Sequence, residues 1–577
     1  MNIRILNLKA IGQLTTVFLL MIGMLGLLAA CGDDESSSDA SSPAAVETTA
    51  DPTATPTAIS DIAAGIRAAP TPTPEGEMPL YGGVLNFNGS GNHRVLDPWH
   101  AQGGAGYSQI MMYFNSPIQQ YFPYDQSKGV EYEGGLATEW TEAADGSWTL
   151  KLREGVTWHD GEAFTADDIV ATIDRLLDEE VLLFNKYVPM RNVFSGATKV
   201  DDHTVVIHTG GTSNATALAY LSSFLLPIVA EHLIVGDPTS SDVEKRWVWT
   251  GPDTTGTLSV GTGPFAMTHW TADIETVGER NENYFLFDEY GNRLPYLDAW
   301  VYTAVPDSTR RMARFAAGIA DFSLGRGAGI HPEKALELCQ GTKDPAGCQV
   351  MEFPHGYFNV ILNHISTDVW SEPLVVAASR YGPDQDDIAS KAYGGRQGFM
   401  IMDRGRFPDS AISLEEQAQL LPWSIADNRA EYVQKAKDNL AEAGYPDGLE
   451  LPQPVFSGGL CSGSFLDQYS RYVDALVEIG INGFLECREG VIANDELEAG
   501  RFSINAPGNS INLVNPADGI IKYHLLDSWM VGQGPWRYEG VQEVDAAYRI
   551  AVKTSDSTLR MQRYQDIERW MADPKWT

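Results

Sequence analysis

Positive charge is scarce in this chain: 40 Lys and Arg stand against 77 Asp and Glu, a formal net charge of −37 over 577 residues. Surfaces that hold nucleic acid or anionic membranes by bulk charge need clustered cations that displace counterions, so nucleic acid is excluded as a partner of that kind. Long apolar runs are also missing. No stretch of 18 apolar residues occurs, which argues against a spanning helix. Cysteine is limited to five residues with no CxxC, so neither a zinc ribbon nor a thioredoxin-type site is indicated. The 11 histidines are scattered without HExxH or HxH, and His203 and His208 fall five apart on a predicted strand, which points them to opposite faces. No GxSxG or P-loop is present, and Gly103-Gly104-Ala105-Gly106 lacks the strand-to-helix setting of a phosphate cradle. Trp158-His159-Asp160 has the residue types of a catalytic pair, but Asp160-Gly161 already explains it as a hairpin corner. No metal, cofactor or catalytic residue is therefore expected.

What is present suits a folded protein of several parts. With 43% apolar and 20% charged residues, most of the chain can bury a core, and its length favours two or three domains. The acidic balance reads most simply as a solvated surface that keeps the protein soluble.

The beginning reads as an address. Arg4 and Lys9 precede the apolar run Val17 to Leu28, long enough for a signal-peptide core and too short to span a bilayer. Leu28-Ala29-Ala30-Cys31 resembles the lipobox of bacterial lipoproteins, which implies removal of residues 1–30 and lipidation of Cys31. The plain alternative is an ordinary signal peptide cut after Ala30. Residues 31–80 are rich in Ser, Thr, Ala and Pro, with Pro-Thr repeats around Pro52 to Pro56 and Pro72 to Pro74. Such a segment cannot bury enough apolar area to offset chain entropy and is read as a disordered tether. At about 3 Å per residue it could hold a body on the order of 100 Å from a membrane. Export also favours oxidation. The four remaining cysteines would then pair, Cys339 with Cys348 and Cys461 with Cys487 being the favoured of three arrangements.

Strand and turn patterns start at Tyr81-Gly82-Gly83-Val84-Leu85-Asn86-Phe87 and Leu96-Asp97-Pro98, and continue with Asp145-Gly146 ahead of alternating Trp148, Leu150 and Leu152. Next comes Leu152-Arg153-Glu154-Gly155-Val156-Thr157-Trp158-His159-Asp160-Gly161-Glu162-Ala163-Phe164-Thr165-Ala166-Asp167-Asp168-Ile169-Val170. Its physical reading is a strand, an Asp-Gly turn and a helix capped by Thr165 with Asp168 three residues on. The run closely resembles the bacterial extracellular solute-binding proteins of family 5, the oligopeptide, dipeptide and nickel-binding class that serves ABC importers. Similar matches follow in family order at Asp202 to Ile207, Gly261-Thr262-Gly263-Pro264-Phe265, Arg280 to Phe285, Pro295 to Asp298, Pro306-Asp307 with Arg310, Gly318 to Asp321, and Ala441 to Gly448.

The resemblance implies an α/β, two-lobed periplasmic-binding-protein-like fold of type II, in the large class whose first lobe carries an inserted subdomain. Lobe I would span 81–305, with the insertion at about 100–195, lobe II 306–540, and 541–577 would return to lobe I; relatives continue with a further strand where this chain reads Asp573 to Thr577. Helix Leu466 to Ile479, stopped by Gly480 and followed by a strand at Ile481 to Leu485, fits an α/β lobe. The implied partners are an ABC permease and its ATPase, with a membrane held through the lipid, and the protein is read as a monomer and not an enzyme.

Candidate ligand residues are Asn88, just beyond the first strand, the loop aromatics Tyr107, Tyr357 and Trp529, and Asn509 and Asn512. Each has a structural alternative, packing for the aromatics and turn formation for Asn88. Oligopeptide-binding members carry Trp-x-x-Asp in the second lobe, where the carboxylate pairs with the peptide ammonium. The best register here puts Asn509 and Asn512 at those positions, and a slip of a few residues would restore Asp518. A neutral amide forms no charge-assisted bond, and such bonds are about twice as strong as neutral ones. The family frequency thus favours a peptide, the two asparagines leave an oligosaccharide as the alternative, and a nickel chelate ranks behind both. A tethered secreted hydrolase is the rival from another class; it would need paired carboxylates, or a nucleophile and base, facing one cleft.

Overall fold

The computed structural model describes residues 79–89, 96–100, 109–121, 131–178, 190–211, 214–235, 248–249, 258–288, 290–323, 337–342, 348, 356–357, 360–363, 368–385, 387–388, 408–456, 463–486, 501–505, 509–510, 515–517, 520 and 541–572. The leader, Cys31 and the tether through residue 78 lie outside these residues, as do Tyr107, Cys461, Cys487, Asn512, Trp529 and the stretch 573–577.

Strand β1 (Val84–Gly89) is the spine of a five-stranded sheet. A hairpin follows from Asp145-Gly146, where Gly146 takes φ +80°, joining β2 (Ala137–Glu142) to β3 (Trp148–Leu152). Trp148, Leu150 and Leu152 are buried while Lys151 is exposed, as alternation requires. Helix α1 (Ala166–Leu177) has the capping box read from the sequence: the Thr165 hydroxyl caps the first turn, and the Thr165 N–H donates to Asp168 Oδ2 at 2.8 Å. Its Ile169, Ile173 and Leu176 are fully buried. From the same helix, buried Arg175 reaches the Asp97 carboxylate in the turn after β1. Strands β4 (Gly196–Asp201) and β5 (Thr204–His208) complete an antiparallel sheet in the order β2-β3-β5-β4.

The main sheet is finished by β6 (Phe265–Thr271), β7 (Glu275–Arg280) and β8 (Ala299–Ala304), then helix α2 (Ser308–Ala316) and β9 (Phe322–Ser323). Its order is β6-β7-β8-β1-β9, with β1 parallel to both neighbours. The chain therefore re-enters this sheet after Val305 and is still part of it at Ser323. Phe87 stacks on Tyr302 at 5.1 Å and meets Trp300 edge-on at 6.5 Å, so the apolar side of β1 is sealed by rings. Both sheets and α1 share one hydrophobic cluster, to which Trp148 and Trp158 belong and against which Trp140 packs. The Gly261-Thr262-Gly263 loop presses on this core: a Cβ at Gly261 would lie 1.8 Å from the Tyr113 carbonyl oxygen, and one at Gly263 2.5 Å from its carbonyl carbon.

A second cluster gathers the later elements. These are β10 (Gly356–Tyr357), β11 (Ile361–Leu362), α3 (Pro373–Tyr381), α4 (Leu414–Leu420), α5 (Arg429–Glu442), β12 (Leu449–Glu450), β13 (Val455–Phe456) and α6 (Gly463–Ile479). Then come β14 (Ile481–Asn482), β15 (Leu485–Glu486), β16 (Ile504–Asn505) and β17 (Asn509–Ser510). Glycines in the left-handed region end the helices: Gly444 at φ +96° follows α5, and Gly480 at φ +101° follows α6. The single strand expected at Ile481 to Leu485 is two strands: β14 pairs with β12, and β15 with β13. The facing segment Leu451-Pro452-Gln453-Pro454 explains the break, since proline cannot donate to a ladder. Before this body, Cys339 and Cys348 are joined by a disulfide with their Cα atoms 5.4 Å apart.

Helices α7 (Val541–Val552) and α8 (Ser557–Met571) belong to the first cluster through Tyr548, Tyr564, Ile567 and Met571. Helix α8 grips the segment before α4 and the first turn of α4 itself. Gln565 Nε2 donates to the Asp409 carbonyl at 2.8 Å, Glu568 Oε2 accepts from the Ile412 N–H at 2.8 Å, and Arg569 holds both oxygens of Glu416 at 2.6 and 3.2 Å. That segment continues into Leu421 and Trp423 of the second cluster, so α8 ties the two cores together.

Two outcomes follow from this packing. Gly261→Ala should cost about 3 kcal/mol or more, because the new methyl meets backbone rather than a side chain that can swing away. Urea unfolding measures this, and a loss below about 1 kcal/mol would show that the loop can shift. The hydrogen bonds from Arg569 hold the Glu416 carboxyl below the ordinary glutamate range. A lowered folded pKa gives stability that is present above the unfolded value and lost as pH falls through the folded one. Both side chains are more than a third exposed, at 35% and 39%, so Glu416→Gln should cost at most about 1 kcal/mol near neutral pH and nothing near pH 2. Thermal melts at the two pH values check the sign; an equal loss at both would refute it.

Candidate functional site

Three parallel strands, β8, β1 and β9, end side by side, with Asn88 opposite Thr303 on one flank and Ser323 on the other. Ligands of open α/β sheets bind outside the carboxyl ends of the strands, so these ends are where polar side chains matter. Asn88 is 1% exposed. It lies within β1, not beyond it as the sequence suggested, because pairing on both edges carries the strand through Gly89. Its Oδ1 accepts from Arg314 Nε at 3.0 Å, and its buried Nδ2 has no hydrogen-bond partner among the described residues. Two residues earlier on the same face, the Asn86 N–H and Nδ2 both donate to Asp321 Oδ2, at 2.8 and 3.2 Å.

Helix α2 brings cations to this place. Asp307 caps it by accepting from the Arg310 N–H at 2.7 Å. Arg311 is buried, and its Nη1 donates to the carbonyls of Val305 and Pro306 at 2.6 and 2.8 Å, which fixes the exit from β8. Burial pushes the Arg311 pKa down, against the pull of Tyr302 and Asp307. Half-buried Arg314 is pushed down by burial and then by its neighbour Arg310. Among the described residues, no ion pair engages Arg311 or Arg314. Sequence reasoning missed both as site residues. Three arginines in the five positions Arg310 to Arg314, in a chain poor in cations, were the available signal.

In the second body β16 runs parallel to β13, and β17 begins just beyond its carboxyl end. There Asn509 pairs with Tyr357, and Ser510 with Gly356, in an antiparallel ladder. Two residues singled out from distant parts of the sequence thus stand opposite each other. The backing is hydrogen-bonded by side chains: Asn363 Nδ2 donates to the Phe502 carbonyl at 2.6 Å, and Trp370 Nε1 to that of Ser503 at 3.0 Å. Of the remaining candidates, Tyr107, Asn512 and Trp529 lie outside the described residues.

Other polar clusters serve the scaffold. His159 accepts from the Gly261 N–H at 3.1 Å and meets the Gly263 carbonyl at 3.0 Å, while Asp160 binds His232 at 2.7 Å, so this corner holds the glycine loop. Burial raises the Asp168 pKa even though the N–H groups of Glu231 and Thr165 and the Trp158 indole donate to it. Among the described residues no group of three or more His, Cys, Asp or Glu could hold a metal ion, and no helix is long and apolar enough to cross a membrane.

Comparison with known proteins places this geometry. Residues 131–520 match the family described as "Bacterial extracellular solute-binding proteins, family 5 Middle". The heme-binding protein A of Haemophilus influenzae is 29% identical over 367 residues, covering 59% of this chain and 60% of that protein. This chain's matches span about three fifths of the length of the curated relatives. Among solved structures, a dipeptide-binding protein of a Pseudoalteromonas species in complex with Met-Leu aligns with TM-score 0.67 and 18% identity, over 85% of this chain and 92% of that one. The periplasmic binding protein DppA of Helicobacter pylori, in complex with the peptide STSA, aligns with TM-score 0.65 and 20% identity, over 86% and 91%. The fold is the two-lobed one of periplasmic binding proteins.

Proposed function

Because this chain belongs to the bacterial extracellular solute-binding proteins, family 5, we propose that it is the substrate-binding receptor of an ABC importer, holding a small solute between two lobes and releasing it unchanged to a membrane permease and its ATPase. One observation carries the reading. In both bodies the candidate ligand residues sit at or just beyond the carboxyl ends of parallel strands, Asn88 on β1 and the Asn509–Tyr357 pair after β16. A solute touching both sets would favour the closed arrangement by its differential affinity, and closure by a hinge is how such folds respond.

The lobe boundary on this reading falls after Ser323 rather than at Val305, since β9 still pairs with β1. The solute is a peptide first, in keeping with the dipeptide- and peptide-bound structures of the same fold. The protein acts as a monomer without chemical turnover, anchored outside the cell through a lipid on Cys31.

A thermal-shift screen against peptides, neutral oligosaccharides and nickel chelates tests the ligand class. A solute that binds only the folded protein stabilises it by about 2.7 kcal/mol at 100 times its Kd, a readily measured rise in Tm. Peptides should give that rise. Stabilisation by oligosaccharides alone would replace the ligand class, and hydrolysis of any compound would favour an enzyme. For the anchor, Cys31→Ser should move the exported protein from the membrane fraction to the soluble one. Retention of that variant in the membrane would remove the lipid from the account.

A further inference from the structure

Two histidines meet at the corner between β3 and α1 and answer acid in opposite senses. The glycine loop uses the His159 ring on both sides: the Gly261 N–H donates to Nδ1 at 3.1 Å, and Nε2 lies 3.0 Å from the Gly263 carbonyl oxygen. A backbone N–H only donates and a carbonyl oxygen only accepts. The network therefore assigns one state, with Nδ1 bare, Nε2 carrying the proton and the ring neutral. A second proton would have to go on Nδ1, the atom at which the Gly261 N–H points. Two N–H groups cannot face each other at that distance, so ring and loop must part. Gly261, Val260 and Thr262 are buried, and a backbone N–H left without an acceptor there carries its full desolvation cost.

The neighbouring pair has the other sign. Asp160 Oδ2 lies 2.7 Å from His232 Nε2, a contact that becomes an ion pair when His232 is protonated. The His232 side chain is 36% exposed, so solvent screens that gain and the loss at Gly261 outweighs it. The other charged groups at this corner are Glu162 on the same turn, Glu231 beside His232, and Asp168 on α1, which accepts from the Glu231 N–H and the Trp158 indole. Residues 258–265 contain no titratable side chain. Across the loop, Asn281 Nδ2 donates to the Gly263 carbonyl at 3.0 Å, Arg280 pairs with Glu282 at 3.1 Å, and the buried Tyr113 phenol is pushed up by desolvation and stays uncharged.

We propose that His159 is an acid-operated latch on the Gly261–Gly263 loop: neutral, it holds the loop against Tyr113; protonated, it releases Gly261 while Asp160 and His232 keep the corner itself in place. The linkage has one sign. The latched form binds one proton fewer, so latching is complete above the ordinary histidine range near about pH 6.5 and is lost as the pH falls below it. Tyr113 packs on Trp300 of β8 at 5.8 Å, so the loop bears on the sheet that carries Asn88. The latch stands whether or not the receptor reading holds.

Hydrogen-exchange mass spectrometry of the full chain at pH 7.5 and pH 5.5, with rates corrected for the intrinsic pH dependence of exchange, reads the loop directly. The forms compared are wild type, His159→Gln and His232→Gln, since glutamine keeps a donor and an acceptor but takes up no proton. In wild type, protection of residues 258–264 should fall about fivefold to tenfold at the lower pH, the limit for one histidine titrating about one unit above it. Protection of α1 should not change. His159→Gln should make the two pH values equal, and His232→Gln should keep the fall. Should His159→Gln fail to fold, wild type and His232→Gln still decide. Equal loop protection at both pH values in wild type, a fall that persists in His159→Gln, or one that disappears in His232→Gln would overturn the latch. A fall confined to residues 229–233 would also overturn it, by placing the effect at Asp168.

Discussion

The position of β1 between β8 and β9 is the constraint on which the rest depends. Six residue pairs, from Val84 opposite Ala299 to Gly89 opposite Ala304, bring the start of the folded chain beside a segment more than two hundred residues later. Parallel pairing cannot be closed by a tight turn, so everything between the two strands must form a long excursion. That excursion contains the antiparallel sheet, α1 and the glycine loop. With both edges taken, β1 has one face for the rings of Tyr302 and Trp300 and one for polar work. The close approach of Tyr302 also explains the glycine at the strand end: a Cβ on Gly89 would lie 1.5 Å from the phenol oxygen.

Around this spine the electrostatics are arranged by burial more than by number. Among the described residues most acids lie at the surface, and the pairs they form there, such as Lys199 with Asp167 and Asp202, are exposed and weak. The consequential charges are few and inside. Arg175 reaches Asp97, Arg311 is spent on two backbone carbonyls, and Arg314 is bound to a neutral amide. Desolvating a cation without a counter-ion is costly, which is why its placement at a strand end carries information that the net charge does not.

The second body shows the same logic with shorter strands. Pro452 and Pro454 interrupt the ladder that Ile481 to Leu485 would otherwise extend, and the two fragments find different partners. What steadies the body is helix packing, with Tyr381, Trp423 and Tyr432 in mutual ring contact, and side chains such as Trp370 and Asn363 that satisfy the carbonyls around Ser503. The hydrogen bonds of α8 to the segment leading to Trp423 then link the two cores.

Local features were legible in the residues themselves. The Thr165–Asp168 cap, the Asp145-Gly146 hairpin, the Gly444 and Gly480 stops and the alternation of Trp148, Leu150 and Leu152 each depend on neighbours within a few positions. The family order of motifs then fixed the architecture, because a succession of such local rules is hard to satisfy twice in different folds. The candidate site was legible only in part. Asn88 and Tyr357 were found as residue types near strand ends and Asn509 through the register of a family motif, but that Tyr357 stands opposite Asn509 is a matter of register between distant segments. Arg314 was invisible as a site residue for the same reason. On a helix its side chain has no stated purpose until β1 and α2 are brought together, and only then does its Nε meet Asn88. Sequence determined which groups were available and which turns and caps would form; tertiary structure decided which groups meet, because pairing across two hundred residues is set by the burial of whole sheets and by no local preference.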